Sequence, residues 1–430
     1  MRLKIQNIGM IKNANINLDG LTVIAGENDT GKSTVGKILF CLIKTVSRYQ
    51  EKFSESKEHK INEILERLYF TIRKNAKISD EKSLNNLRDI FSIDSYLHSF
   101  DDNSYIKVLQ NYIYNLTIDT DIQELLLAPI AEIHKIMIEP EDDHKYIQSA
   151  LNKVFRSEFD SNILKYGCKN GKIELYEGEL LLLDIAVEEN NKIVLANNCQ
   201  PIYLDDATFI ETPLILNNHD LLLRSITGLN DRKSTSRRLG IPYTTLHTKD
   251  LFDKLKEASL LFDLIGVRDN STIQDNIKHL INGDLVYHAN DKDFKYIKNN
   301  ITIPIKNTAT GIKSFGIIQL LADNDFINEK SFLILDEPEI HLHPKWQLEY
   351  AKLISILVKN NVPVLVTSHS PYMIEALQRF NEGNSNVDFY IADNGNIDKI
   401  ENDNELTLSE IFTKLSEPFE EFDKMDAKKL

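Results

Sequence analysis

The chain has 430 residues, 42% of them apolar and 27% charged, with a formal net charge of −15. That is the profile of a globular protein large enough for two or three structural units, and it excludes a surface coated for nucleic-acid binding. No stretch approaches the ~20 apolar residues of a membrane span, and Met1-Arg2-Leu3-Lys4-Ile5 lacks a signal peptide's apolar run, so a cytoplasmic protein with no membrane association is expected.

In chain order, Leu3–Ile8 alternates as a half-buried strand, and Asp19-Gly20 turns the chain into a second run, Leu21–Ala25. From Ser33 onward, Val35, Ile38, Leu39, Leu42 and Ile43 fall on one helical face. Residues 45–165 are rich in Lys, Glu, Asn, Ile and Leu, poor in Gly and Pro, and mostly helical in period. They read as an insertion, because the sheet must resume afterwards. Strand-like runs return at Lys172–Tyr176, Leu181–Val187, Ile193–Ala196 and Ala207–Ile210. A second helical stretch is expected over 217–282, then strands near Leu285–Tyr287 and Ile301–Ile305. The last third alternates Phe332–Leu335, a helix at Lys345–Val358, and Val364–Thr367, a βαβ pattern that calls for parallel strands. Cys41, Cys168 and Cys199 lie too far apart for a zinc or disulfide framework, and Cys41 reads as core. The basic run Arg232–Arg238 is either a solvated loop or a contact for a phosphate backbone.

Gly26-Glu27-Asn28-Asp29-Thr30-Gly31-Lys32-Ser33 fits G-x-x-x-x-G-K-[ST] between an apolar strand and an amphipathic helix. Glycines there let backbone N–H groups wrap phosphates, and the helix N-terminus adds its positive end. Gly26, Asn28, Asp29, Thr30, Gly31, Lys32, Ser33 and Thr34 are therefore the expected nucleotide contacts. Lys32 is expected on the β- and γ-phosphates and the Ser33 hydroxyl on Mg²⁺. Phe332-Leu333-Ile334-Leu335 is a strand buried on both faces, with Asp336-Glu337 at its C-terminal end. Asp336 is expected to hold Mg²⁺ and Glu337 to act as general base. His369, in Thr367-Ser368-His369-Ser370-Pro371, ends the neighbouring strand, where it would sense a γ-phosphate. Thr310-Gly311 opens an apolar helix and is a weaker anion element. His341 and His343 have H-x-H spacing, but no third ligand cluster accompanies them, so a metal site is not expected there.

In this order the elements resemble ABC-type ATPase heads, more narrowly those of the SMC, RecF and overcoming-lysogenization-defect (OLD) group. The resemblance is strong over 1–44 and about 300–417. Asp336-Glu337-Pro338-Glu339-Ile340-His341-Leu342-His343-Pro344-Lys345-Trp346-Gln347 and Ser368–Met373 look like OLD-type ATPases of bacterial anti-phage systems. The resemblance implies an α/β fold, a P-loop ABC-type head with a mixed sheet, flanking helices and inserted helical regions. It divides the chain into head segments at 1–44, 166–216 and 301–417, a helical insertion at 45–165, a helical arm or partner region at 217–300, and a tail at 418–430. It further implies ATP and Mg²⁺ as cofactors. Two heads would close on two nucleotides as a homodimer or higher oligomer, Thr310-Gly311 serving the opposite head. Ile312-Lys313 departs from the usual Gly-Gln of that signature, and the strand end Phe209-Ile210-Glu211-Thr212 lacks the glutamine such heads carry. The 61 residues after His369 contain no Asp-x-Asp of a Toprim nuclease, and no HEPN-type or HNH arrangement appears. The chain thus resembles the ATPase subunits of Septu defence systems (PtuA), which work with a separate HNH nuclease; nucleic acid would be met through that complex. The alternatives are a RecF-like DNA-repair ATPase acting on DNA directly and an OLD-type nuclease-associated ATPase.

Overall fold

Three runs that are apolar almost throughout become the central strands, because a strand covered on both faces needs no polar side. They are β3 (Leu21–Gly26), β11 (Ser331–Asp336) and β12 (Val364–Ser368), and every residue in them is buried. In the computed structural model they lie side by side and parallel. The structure describes residues 1–75, 81–92, 95, 102–116, 120–138, 143–197, 199–227, 242–257 and 277–427. The basic run 232–238 lies outside them.

Residues 1–47 and 147–430 form one unit. Its mixed sheet of eleven strands runs β6-β5-β4-β1-β2-β14-β13-β3-β12-β11-β7. The parallel part comprises β13 (Val387–Asp393), β3, β12, β11 and β7 (Asp206–Ile210). An antiparallel wing is built from β1 (Arg2–Ile8), β2 (Ile11–Asn17), β4 (Asn170–Glu177), β5 (Leu180–Glu188) and β6 (Ile193–Leu195). β14 (Asn396–Asp398) joins the two parts, antiparallel to β13 and parallel to β2. Strand β2 was not expected, yet Ala14 and Ile16 are buried in it on the alternation a half-buried strand requires, with Ile11 buried at its start.

Helix α1 (Lys32–Asn75) starts directly after the loop that follows β3. Gly36 brings it hard against the sheet. A Cβ there would come within 2.7 Å of the Phe209 ring and 2.8 Å of Ile334.

Residues 48–146 form the second unit. There α1's later turns, α2 (Glu81–Ile90), α3 (Asp102–Tyr114) and α4 (Thr120–Ile138) share a core of Ile61, Leu65, Leu68, Leu87, Leu109, Ile113, Ile130 and Ile133.

The first unit continues through α5 (Asp143–Phe159), α6 (His219–Arg224) and α7 (Leu246–Lys256). The expected helical stretch over 217–282 is therefore broken. Besides α6 and α7 its described part holds one helical turn over 277–281, and 228–241 and 258–276 lie outside the described residues. A second sheet follows, antiparallel in the order β10-β9-β8, from β8 (Asp284–His288), β9 (Asp293–Lys298) and β10 (Ile301–Pro304). Strand β9 was not expected. Leu222, Phe252, Leu285, Phe294 and Tyr296 belong to the same apolar core as Phe315, Leu333 and Val366, so α6, α7 and this sheet pack on the central strands. Helices α8 (Thr310–Asp323), α9 (Pro344–Lys359), α10 (Pro371–Phe380) and α11 (Asn404–Ala427) complete the chain. No described helix is long and apolar enough to cross a membrane.

Candidate nucleotide site

The loop between β3 and α1 has a backbone that side chains oppose. At Gly26, φ is +157° and a Cβ would fall 2.3 Å from the Ala392 carbonyl oxygen of β13, so only glycine fits. The Thr30 hydroxyl donates to the Glu27 carbonyl at 2.8 Å and closes the turn. The N–H groups of Thr34 and Val35 both bond the Gly31 carbonyl, which starts the helix. Glu27, Asn28 and Asp29 are exposed at the tip, whereas Lys32 is buried. Its ammonium curls back over the loop and donates to the carbonyls of Gly26 (2.9 Å) and Glu27 (2.6 Å). Burial lowers the Lys32 pKa, against the pull of Glu337, Asp336 and Glu339.

Asp336 sits at the end of β11, one strand beyond β12 from β3. Its carboxylate accepts from the Thr367 hydroxyl (2.5 Å) and from Ser33. Burial pushes its pKa up despite both bonds. Glu337 turns away with a left-handed φ of 47°, its N–H bonded to the Thr367 carbonyl and hydroxyl, each at 3.1 Å. One carboxylate oxygen of Glu337 is then 3.8 Å from Lys32 Nζ and 3.4 Å from His369 Nδ1. The structure thus brings Lys32, Ser33, Asp336, Glu337 and His369 together at one edge of the sheet.

Buried Glu339, the second candidate for general base in the sequence, lies at this edge as well. Its Oε1 accepts from the Ser368 hydroxyl (2.7 Å) and from the N–H groups of His369 (2.9 Å) and Ser370 (3.2 Å), and it lies 3.6 Å from His369 Nδ1. Burial raises its pKa. Ser370 in turn donates to Gln347 Oε1 at 2.7 Å. Glu339 therefore fixes the His369 loop, while His369 Nδ1 itself is buried without a hydrogen-bond partner. His343 caps α9, its Nδ1 accepting from the Lys345 N–H at 3.3 Å.

Thr310 and Gly311 open α8, with Gly311 against the Trp346 ring, where a Cβ would approach to 2.8 Å. Among the described residues no hydrogen bond or ion pair links them to 26–34.

A third approach to this edge comes from β7. Glu211, just beyond its end, lies 3.8 Å from Lys37 and 3.1 Å from His247 Nε2. His247 also bonds the buried Glu158 carboxylate. Burial opposes charge on the ring, but the bonds to Glu158 and Glu211 outweigh it and raise the His247 pKa to about 9. The His247 bond holds the Glu211 carboxyl below its ordinary range.

An oxygen-donor pair of Ser33 and buried Asp336, beside a lysine-bearing loop at a helix N-terminus, fits a hard divalent cation bound with a nucleotide phosphate. Fold and site together define a P-loop ATPase domain. The AAA ATPase domain family model matches residues 1–374, and the chain belongs to that family.

It is similar to the Septu protein PtuA of Bacillus thuringiensis, 30% identical over 128 residues that cover 27% of this chain and 30% of PtuA. It is also similar to protein ea59 of Escherichia phage lambda, 32% identical over 93 residues covering 21% and 17% of the two chains. These matches span less than a third of either relative's length. Among solved structures, the SMC head domain of Thermotoga maritima aligns over 92% of this chain and 96% of its own, with 10% identity and a TM-score of 0.35.

Proposed function

We propose that the chain binds ATP with Mg²⁺ and hydrolyses it between two closed heads, and that this cycle controls a separate nuclease subunit. The observation that carries the reading is the convergence of Lys32 and Ser33 with Asp336 and Glu337 across the ends of β3 and β11. Lys32 would exchange the Gly26 and Glu27 carbonyls for the β- and γ-phosphates, with the loop's N–H groups and the α1 N-terminus around them. Ser33 and Asp336 would hold Mg²⁺, which supplies charge neutralisation on the phosphate oxygens. Glu337 takes the proton of the attacking water as its oxygen bonds the γ-phosphorus and the bond to the ADP oxygen breaks. His369, held by Glu339, faces the γ-phosphate. Thr310-Gly311, at the start of α8, serves the nucleotide of a second copy. The similarity to the Septu protein PtuA supports a Septu-like setting, and the partner proposed for that setting is a nuclease of the HNH type.

The test uses the purified chain. ATP binding is expected, and Lys32→Ala should abolish it. The wild-type chain should hydrolyse ATP yet leave plasmid DNA intact until an HNH nuclease subunit that forms a complex with it is added. Retained ATP binding and turnover in Lys32→Ala would remove the loop from the mechanism. Metal-dependent DNA cleavage by the lone chain, abolished by a point mutation in it, would remove the separate nuclease.

A further inference from the structure

A set of titratable side chains reaches the nucleotide edge from three separated segments. Glu158, near the end of α5, is buried. It accepts the His247 backbone N–H at 3.3 Å and bonds the ring's Nδ1. The opposite nitrogen, Nε2, faces Glu211 Oε2 at 3.1 Å and the Thr248 hydroxyl at 3.1 Å. Phe209 and Phe40 wall the imidazole, with ring centroids 4.8 Å and 6.3 Å away. Bonds at both nitrogens and two aromatic walls leave the ring one orientation.

Glu211 follows β7, whose pairing with β11 sets Ile210 opposite Leu335. The next residues, Glu211 and Asp336, therefore emerge side by side. Both turn toward α1: Asp336 meets Ser33, and Glu211 meets Lys37 one helical turn on. Gly36, between those two residues, packs α1 directly against Phe209 of β7 and Ile334 of β11.

We infer that Glu211, presented by the buried Glu158–His247 pair, is a positioning carboxylate that strengthens the site's hold on Mg²⁺ with ATP. The inference rests on the nucleotide reading above. Glu211 is 47% exposed, and released from His247 it would swing into water, where its charge is screened. Anchored, it is a fixed second negative charge beside Asp336. Such a charge favours a bound cation and disfavours a metal-free triphosphate, so its removal has a signature that general destabilisation does not.

The experiment titrates mant-ATP into the full chain with MgCl₂ and, separately, with EDTA, for wild type, Glu211→Gln, His247→Gln and the double variant. Wild type should bind more tightly with Mg²⁺. Glu211→Gln should cut that Mg²⁺-dependent gain on the order of tenfold, with metal-free affinity unchanged or higher. His247→Gln should do the same, and the double variant should be no worse than Glu211→Gln alone, since both act through one carboxylate. A wild-type Mg²⁺ gain in Glu211→Gln, or single effects that add in the double variant, overturns the inference. If melting shows His247→Gln unfolded, Glu158→Gln takes its place, and a wild-type Mg²⁺ gain there overturns the anchoring. Loss of mant-ATP binding by the wild type itself would instead overturn the nucleotide reading.

Discussion

Charge on His247 should make the stability of the head depend on pH in one direction only. The folded pKa, about 9, lies above the ordinary 6.5, so the protonated ring's contribution is complete below the lower value and is lost as pH rises through the higher one. At ~1.4 kcal/mol per pH unit the difference amounts to roughly 3 kcal/mol. The ring is only 2% exposed, so solvent screening takes little from it. For a unit of this size that is a fall in melting midpoint of about 4–5 °C. The assay is thermal unfolding of wild type and His247→Gln across the window between those two pKa values. Glutamine keeps hydrogen-bonding groups but cannot protonate, so other titrations cancel in the comparison. Wild type should be the more stable at the acid end, and its advantage should shrink by roughly that amount at the alkaline end. Parallel pH profiles for the two proteins would show that the Glu158 and Glu211 carboxylates do not hold a charged ring.

Glu337→Gln should retain ATP binding while hydrolysis falls by ~10²–10⁴, measured by single-turnover phosphate release. Glu339 is held on the His369 loop by three bonds to its Oε1, from Ser368, His369 and Ser370, while its buried Oε2 has no hydrogen-bond partner. Mixing Lys32→Ala with Thr310→Glu subunits should restore one working site per dimer, whereas each alone stays inactive; Gly311 is a worse choice for this test because a side chain there meets Trp346. A mixture as inactive as its parents, with dimers shown to form, would refute completion in trans. Gly36→Ala should lower the melting midpoint through about 1–3 kcal/mol of overpacking against Phe209 and Ile334.

The nucleotide loop and the β11 run were legible because local chemistry dictates them: Gly26 and Lys32 lie within one turn, and four apolar residues lead straight to Asp336. Strand β2 was hidden by Asn13, Asn15 and Asn17, poor strand formers that occupy its outward positions while Ala14 and Ile16 carry the alternation. Strand β9 escaped for a similar reason, since Phe294 and Tyr296 stand among Asp and Lys. The break in the expected helix over 217–282 was obscured by leucine-rich turns such as Leu221-Leu222-Leu223, whose spacing suits a helix and whose burial is decided by the core they join. His247 could not be paired from sequence at all. Its partners lie 89 and 36 residues away, and only the positions of α5, α7 and β7 bring them together. Glu339 was within reach: a carboxylate three residues past Asp336, facing the backbone of the neighbouring strand's end, suggests an acceptor for N–H groups.

The position of β3 also governs how the chain can be made. This strand of residues 21–26 is flanked by β12 and β13, whose residues 364–368 and 387–392 are synthesised last among its neighbours. At ~5–20 residues per second, the strand that precedes the nucleotide loop waits on the order of half a minute with both hydrogen-bonding edges unpaired. The β1–β2 hairpin can close during that time, because its partners are adjacent in the chain. Six buried apolar and small residues with no sheet to enter are a surface for chaperones or for aggregation. Slowed elongation or truncation between β7 and β12 should therefore drive the nascent chain into the insoluble fraction well before any effect on nucleotide turnover is visible.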